Sequence, residues 1–108
     1  MMHWPATIRR CFEADRVLYS SHARREMRQE EFGPISDQEL YEAICTGEII
    51  EIYADDMPYP SVLLFGTTSA NRPLHAVCAY DNEDDRVVIV TVYQPDPRRW
   101  EDYRRRKR

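Results

Sequence analysis

The sequence has only three glycines, one lysine and no long apolar run. With so few glycines it cannot build a phosphate-cradling loop, and it contains no serine-hydrolase elbow, Walker loop or dinucleotide fingerprint. No apolar segment, Val87–Val90 included, is long enough to cross a bilayer, and the first ten residues contain no stretch of the signal-peptide type. We therefore expect a cytoplasmic protein that does not contact a membrane.

Cysteine is scarce as well. Cys11, Cys45 and Cys78 form no Cys-x-x-Cys pair, and their odd number would leave one thiol over in a disulfide framework. We expect them to be small buried hydrophobes in a reducing compartment.

The acidic clusters Asp55-Asp56 and Asp81–Asp85 lack the spacing of a calcium loop and are typical of solvated turns. The sequence thus predicts neither a metal site nor a cofactor.

The charges are unevenly distributed along the 108 residues, a length that predicts one domain, 1–108. Residues 1–28 carry six arginines against three acids, and residues 29–96 carry two arginines against fourteen acids. Residues 97–108 then carry seven basic residues against two acids, five of the seven in a basic tail, 104–108. Two uses of these arginines are open: they bind a polyanion, or they pair with the acidic middle within the domain or in a partner.

Helical signals dominate the first half of the sequence. A capping box at Ser36–Glu39, with a hydrophobic staple from Ile35 to Leu40, marks the start of a helix that Gly47 ends. The remaining segments predict a short helix over Ala6–Asp15, a brief strand over Val17–Tyr19 and a helix from Ser20 or Ser21 to about Glu31.

Strand signals dominate the second half. Four segments rich in β-forming residues are joined by short turns, which predicts an antiparallel meander over Ile49–Tyr53, Ser61–Thr68, Pro73–Tyr80 and Arg86–Tyr93. Gly66 indicates a bulge or bend, and Arg98–Arg106 a last helical turn or two. The expected fold is α+β: two helices packed on a four- to five-stranded, mostly antiparallel sheet, with short terminal helices.

Two groups of residues suggest chemistry on phosphates. His22, Arg24 and Arg25 lie at a helix N-terminus, where amides, imidazole and guanidinium groups can hold a phosphate. Equally open is a histidine that caps or packs while the arginines face water. Arg72 and His75 bracket the start of a strand, and Tyr93 closes the last one; a semi-buried strand histidine and a tyrosine that packs at a sheet rim are the alternatives.

Five motifs in this order resemble a bacterial family, the domain of unknown function 4258, over about residues 17–103: Ser21–Met27, Gly47–Glu51, Tyr59–Ser61, Arg72–His75, and Ile89–Asp96 with Trp100. That family is similar to the RelE/ParE/BrnT toxins of toxin–antitoxin systems, and the resemblance implies a RelE/ParE-like fold. Relatives often carry arginine four residues after the histidine, where this sequence has Glu26. Arg25 is the expected substitute.

The resemblance implies a toxin that cleaves RNA without a metal, held inactive by a small antitoxin protein, with RNA or ribosome-bound mRNA as substrate. Such chemistry needs a base, an acid and cations on the phosphate. We expect catalytic roles for His22, Arg25, His75 and Tyr93, and substrate binding by Arg24, Arg72, Arg104 and Arg105. The altered position Glu26 and the acidic middle favour a second hypothesis, a non-catalytic binding module of the same fold that recognises an antitoxin, RNA or another protein.

Overall fold

Three helices, each with an identifiable start signal, pack against a sheet in a computed structural model that describes residues 3–108. Helix α1 spans Trp4–Glu13 and has a proline in its first turn, where no amide partner is needed. Helix α2 spans Ser21–Gln29, and the Ser20 hydroxyl accepts the amide of Ala23 at 3.0 Å. Helix α3 spans Asp37–Thr46 and begins with the predicted capping box.

The strands form one large sheet and one small hairpin. Their bounds are β1 Val17–Tyr19, β2 Glu48–Tyr53, β3 Ser61–Thr67, β4 Pro73–Asp81, β5 Arg86–Tyr93, β6 Trp100–Glu101 and β7 Arg105–Arg106. The large sheet has the order β1-β5-β4-β3-β2, so the predicted antiparallel meander of β2 to β5 is confirmed.

The sheet is nevertheless mixed, because β1 pairs with β5 in parallel. The prediction of a mostly antiparallel sheet holds for the meander and misses this pair. Two helices and three strands separate β1 from its partner β5 along the chain. Such a long connection permits the parallel direction, and no local sequence pattern announces it.

Two local predictions are wrong. Arg98–Arg106 is not helical, since residues 100–106 form the two-stranded hairpin β6-β7, which we call the C-terminal hairpin. Its turn residues Asp102 and Tyr103 have φ of 53° and 59°, and the amide of Arg104 donates to the carbonyl of Glu101 at 2.9 Å, as in a type I′ turn. Gly66 is no bulge: it pairs regularly with Leu74, and the sheet's irregularities lie elsewhere, in β2 and β5.

Gly66 instead allows α3 to lie directly on the sheet. A Cβ atom at this position would come within 1.9 Å of the backbone carbonyl oxygen of Ala43. Around this contact, side chains from the three helices and one sheet face form the hydrophobic core, which includes Ile8, Met27, Leu40, Ile44, Leu64, Leu74 and Ile89. Cys11 and Cys78 are buried as expected, whereas Cys45 is exposed.

The opposite sheet face carries the C-terminal hairpin. Neighbouring residues of a strand point to opposite faces, so Phe65 and His75, which pair across β3 and β4, lie on the face away from the helices. Trp100 of the hairpin packs there, with its ring centroid 4.5 Å from that of His75. Among residues 3–108, no helix combines the length and apolarity that crossing a membrane requires.

Candidate functional site: a charged groove beside helix α2

A groove of about 980 Å³ opens where α2, the end of β5 and the C-terminal residues meet. Its helical wall is acidic and polar, Tyr93 of β5 lies between the walls, and the facing wall is basic. The residues that define these parts are Glu26, Gln29 and Glu30 on the helix, and Arg99, Lys107 and Arg108 opposite.

Two carboxylates of the acidic wall accept hydrogen bonds from the backbone and so help to hold the fold together. Strand β1 ends at Tyr19, so the outer edge of β5 has no strand partner beyond Ile89. Glu26 accepts the amide of Val92 at 3.0 Å, and Glu30 accepts the amide of Gln94 at 3.3 Å. These carboxylates thereby replace a neighbouring strand, which explains why an acid stands at position 26.

The basic wall holds cations that the fold leaves available. Arg98 pairs with Asp96 at 2.8 Å, whereas Arg99, Lys107 and Arg108 have no carboxylate within ion-pair distance in residues 3–108. The amide of Lys107 donates to the carbonyl of Arg99 at 2.8 Å, which holds those two residues side by side. This wall therefore presents a cluster of cations towards the groove.

His22 and Arg25 lie on α2 next to the helical wall. His22 has 60% of its side chain exposed, and its Nε2 lies 3.4 Å from Glu26 Oε1. Arg25 is exposed and precedes Gln29 by four residues, so both lie on the same side of α2. Neither His22 nor Arg25 lines the groove itself; each lies one helical turn from a residue that does, Glu26 and Gln29 respectively.

His75 is buried and fully hydrogen-bonded. Its Nε2 lies 2.6 Å from the carbonyl oxygen of Tyr103, and its Nδ1 lies 3.1 Å from the hydroxyl of Tyr93. A carbonyl only accepts, so Nε2 carries the proton and Nδ1 accepts from Tyr93. Burial lowers the pKa of His75 to about 4 and raises that of Tyr93 to about 12, so both are neutral at physiological pH.

The predicted substrate-binding arginines do not line the groove. Arg72 is held by Gln94 Oε1 at 2.7 Å, the carbonyl of Pro34 at 3.0 Å and Glu39 Oε2 at 3.0 Å, and so ties the loop before α3 to the end of β5. Arg24 pairs with Asp37 and lies over the Tyr19 ring at 3.6 Å.

The first residues of the basic tail pair with carboxylates of the domain, which is one of the two uses that the sequence left open. Arg104 pairs with Glu48 and lies 4.9 Å from the centroid of the Phe65 ring. Arg105 pairs with Glu101 at 3.4 Å within the hairpin, on an exposed surface. The structure therefore brings together Tyr93 and His75, places His22 and Arg25 beside the groove, and leaves Arg24, Arg72, Arg104 and Arg105 elsewhere.

The turn over Asp81–Asp85 is more ordered than the expected solvated turn. Asp81 is buried, accepts the amides of Glu83 and Asp84, and pairs with Arg86. Asp85 pairs with Arg10, whose guanidinium holds the pKa of that carboxyl well below its usual range. Across residues 3–108, no three His, Cys, Asp or Glu side chains are grouped so that they would hold a metal ion.

Comparison with known proteins places the chain. Residues 19–94 match the family described as domain of unknown function 4258 (DUF4258), which is more than half of the sequence. The chain belongs to the DUF4258 family. No curated protein and no solved structure matches it. The matched range includes His22, Glu26, His75 and Tyr93, whereas α1 and the C-terminal hairpin lie outside it.

Sequence reasoning did not place Arg99 and Lys107 side by side in a basic wall, and it did not assign Glu26 and Glu30 to the contacts between α2 and the end of β5. Glu26 and Glu30 stand four residues apart, a spacing that puts both carboxylates on one face of α2. Two acids on one face of an otherwise arginine-rich helix were a signal that this face has a specific contact. For Arg99 and Lys107 no signal exists, because their proximity depends on the type I′ turn that lies between them.

Proposed function

We propose that this DUF4258 protein is a non-catalytic binding module that holds a single-stranded stretch of RNA in the groove. The observation that carries this proposal is that the predicted groups do not converge on one phosphate site: the predicted substrate-binding arginines lie outside the groove, and His75 is enclosed. Nucleophile activation and phosphate binding need groups within about 3–3.5 Å of the reacting atoms. His75 is instead closed off behind Tyr93 with both ring nitrogens engaged, and Arg72 is bonded to three parts of the fold.

Single-stranded RNA fits the groove better, as a ligand, than the surface of a folded protein does. Its basic wall offers Arg99, Lys107 and Arg108 to phosphates, while Tyr93 lies between the walls and its ring can contact a base. The carboxylates of Glu26 and Glu30 are occupied by backbone amides, which reduces their repulsion of a polyanion. The volume of about 980 Å³ accommodates a few nucleotides.

A metal-independent endonuclease is the second candidate, and one contact favours it. Tyr93 lines the groove and donates its hydroxyl proton to His75, so an imidazole stands directly behind the bound strand. His22 and Arg25 lie at the helical side of the same groove. Cleavage by this arrangement would need His75 to become accessible.

We also propose that the chain is related to the RelE/ParE/BrnT toxins. What supports it is the order of helices followed by an antiparallel meander, together with the family resemblance. It implies a small antitoxin as partner and ribosome-bound mRNA as a target. Slower growth on overexpression, relieved by coexpression of a neighbouring gene product, is the corresponding test.

The direct test of RNA binding compares two single arginine substitutions. We expect Arg99→Gln to weaken binding of a fluorescent single-stranded 12-mer several-fold at low salt, because the groove loses a phosphate contact. Arg28→Gln is the matched control, because this substitution removes the same charge from an exposed residue that does not line the groove. Fluorescence anisotropy in EDTA measures both.

Equal weakening by the two substitutions would show nonspecific charge attraction, and absence of binding by the wild-type protein at low salt would refute the proposal. RNA fragments that appear in EDTA and disappear with His22→Ala would favour the endonuclease over the binding module.

A further inference from the structure

Four titratable side chains lie together on the sheet face away from the helices. Glu51 and Tyr53 of β2 hydrogen-bond to one another, and His75 and Tyr93 of β4 and β5 do the same at 3.1 Å. The two pairs are close enough for the charge of Glu51 to act on both His75 and Tyr93. An imidazole, a phenol and a carboxylate in this arrangement form an acid–base cluster.

The C-terminal hairpin closes this cluster from solvent. Trp100 stands edge-on to His75, with a ring-plane angle of 90°, and the carbonyl of Tyr103 accepts the proton on His75 Nε2. The Tyr103 ring lies 5.9 Å from that of Phe65, which completes the cover. His75 is wholly buried as a result.

The hairpin is attached to the sheet through side chains rather than through a strand ladder. Its two strands pair only with each other and form a separate two-stranded sheet. Arg106 donates to both carboxylate oxygens of Glu51, at 3.0 and 3.1 Å, and Arg104 pairs with Glu48. The exposed Arg104–Glu48 pair is of the weak kind that salt screens, whereas the bidentate Arg106–Glu51 pair, in which Glu51 is 25% exposed, is the stronger of the two.

Arg106 also lines the groove. Its guanidinium lies 4.7 Å from the centroid of the Trp100 ring, 62% of its side chain is exposed, and it contributes to the groove beside Lys107 and Arg108. A phosphate in the groove would therefore compete with Glu51 for the same guanidinium. Arg104, which pairs with Glu48, does not line the groove.

We propose that residues 100–106 are a releasable cover over the His75–Tyr93 acid–base pair, and that single-stranded RNA in the groove releases it by engaging Arg106. The trigger rests on the proposed RNA binding, whereas the cover itself rests on the ion pairs to Glu48 and Glu51. Release exchanges the contact of Arg106 with Glu51 for a contact with a phosphate and exposes the imidazole to the groove.

The test follows the reactivity of individual histidines towards diethyl pyrocarbonate, mapped by mass spectrometry on the full chain. His22 is exposed and serves as the internal reference, and His75 should be protected in the wild-type protein. The double substitution Glu48→Gln with Glu51→Gln should raise modification of His75 about ten-fold, because two ion pairs of the hairpin are lost. Glu101→Gln, which removes only the exposed pair with Arg105, is the matched control and should leave His75 protected.

The same 12-mer RNA, added to the wild-type protein in EDTA at a concentration that saturates anisotropy, should also expose His75. Unchanged protection in the double variant overturns the cover, with hydrogen exchange of β3 and β4 confirming that the sheet remains folded. Protection that persists in the saturated RNA complex overturns the RNA trigger. If RNA does not bind, the proposed function and the trigger fail, and the double variant still decides the cover.

Discussion

At the scale of single residues, His75 shows how burial determines chemistry. It lies on the sheet face away from the helices, where it is wholly enclosed and carries no charge at neutral pH. Its imidazole donates to a carbonyl and accepts from a phenol, so the neutral form is the one that the fold binds. This residue therefore links the stability of the protein to pH.

We expect the free energy of unfolding to fall on acidification, by about 2 kcal/mol between pH 7.5 and pH 5. The pKa of His75 is lowered from 6.5 to about 4 by burial, so below pH 6.5 the unfolded state takes up a proton that the folded state does not. Urea denaturation at several pH values measures the decrease.

His75→Gln provides the control for that titration, because glutamine can donate and accept in place of the ring but does not ionise. Its stability should change much less between pH 7.5 and pH 5, whatever its absolute value. A wild-type protein with the same stability at both pH values would contradict the enclosed, neutral histidine.

At the scale of elements, helix α2 is attached to the sheet by side chains that replace a strand. Glu26 and Glu30 accept amides of β5 beyond the end of β1, while Ala23 and Met27 bury the opposite side of the helix in the core. One helix thus contributes both to the core and to the wall of the groove. Any change that loosens it should act on stability and on the groove together.

Glu26→Ala should lower the free energy of unfolding by about 1–3 kcal/mol, because it leaves the amide of Val92 without its acceptor. Glu26→Gln keeps an acceptor oxygen and should have a much smaller effect. Hydrogen exchange at the Val92 amide, compared between the two variants, locates the effect. Equal stability and equal exchange in both variants would show that the contact does not hold α2.

How much of the fold the sequence predicts depends on how local the deciding interaction is. The capping box at Ser36 and the four meander strands were predictable because each depends on neighbouring residues or short turns. The parallel pairing of β1 with β5 depends on residues about seventy positions apart. The C-terminal hairpin depends on Asp102 and Tyr103 adopting left-handed backbone angles, for which neither residue gives a strong signal.

The candidate site followed the same rule. The sequence predicted catalytic roles for His22, Arg25, His75 and Tyr93, and the structure brings the last two into contact while placing the first two beside the groove. It left open whether the arginines bind a polyanion or pair with the acidic middle of the chain. Which arginine meets which carboxylate is a property of the folded chain, as the partners of Arg72 illustrate.

At the scale of the whole molecule, the uneven charge distribution is largely resolved by pairing within the domain. Basic residues of both ends meet acids of the middle, as in the pairs Arg10–Asp85, Arg24–Asp37 and Arg106–Glu51. The cations that the described residues leave without an ion pair include Arg99, Lys107 and Arg108. The protein is thus acidic overall and yet offers one basic wall, which is the basis of the proposed RNA binding.

The measurement that tests this account most directly is a titration of the isotope-labelled protein with the single-stranded 12-mer in EDTA, followed by amide chemical shifts. Binding in the groove predicts that the shifts cluster at Gln29, Tyr93 and Lys107 and diminish as salt is added. Shifts centred on Arg24 and Arg72, or no shifts at low salt, would contradict it.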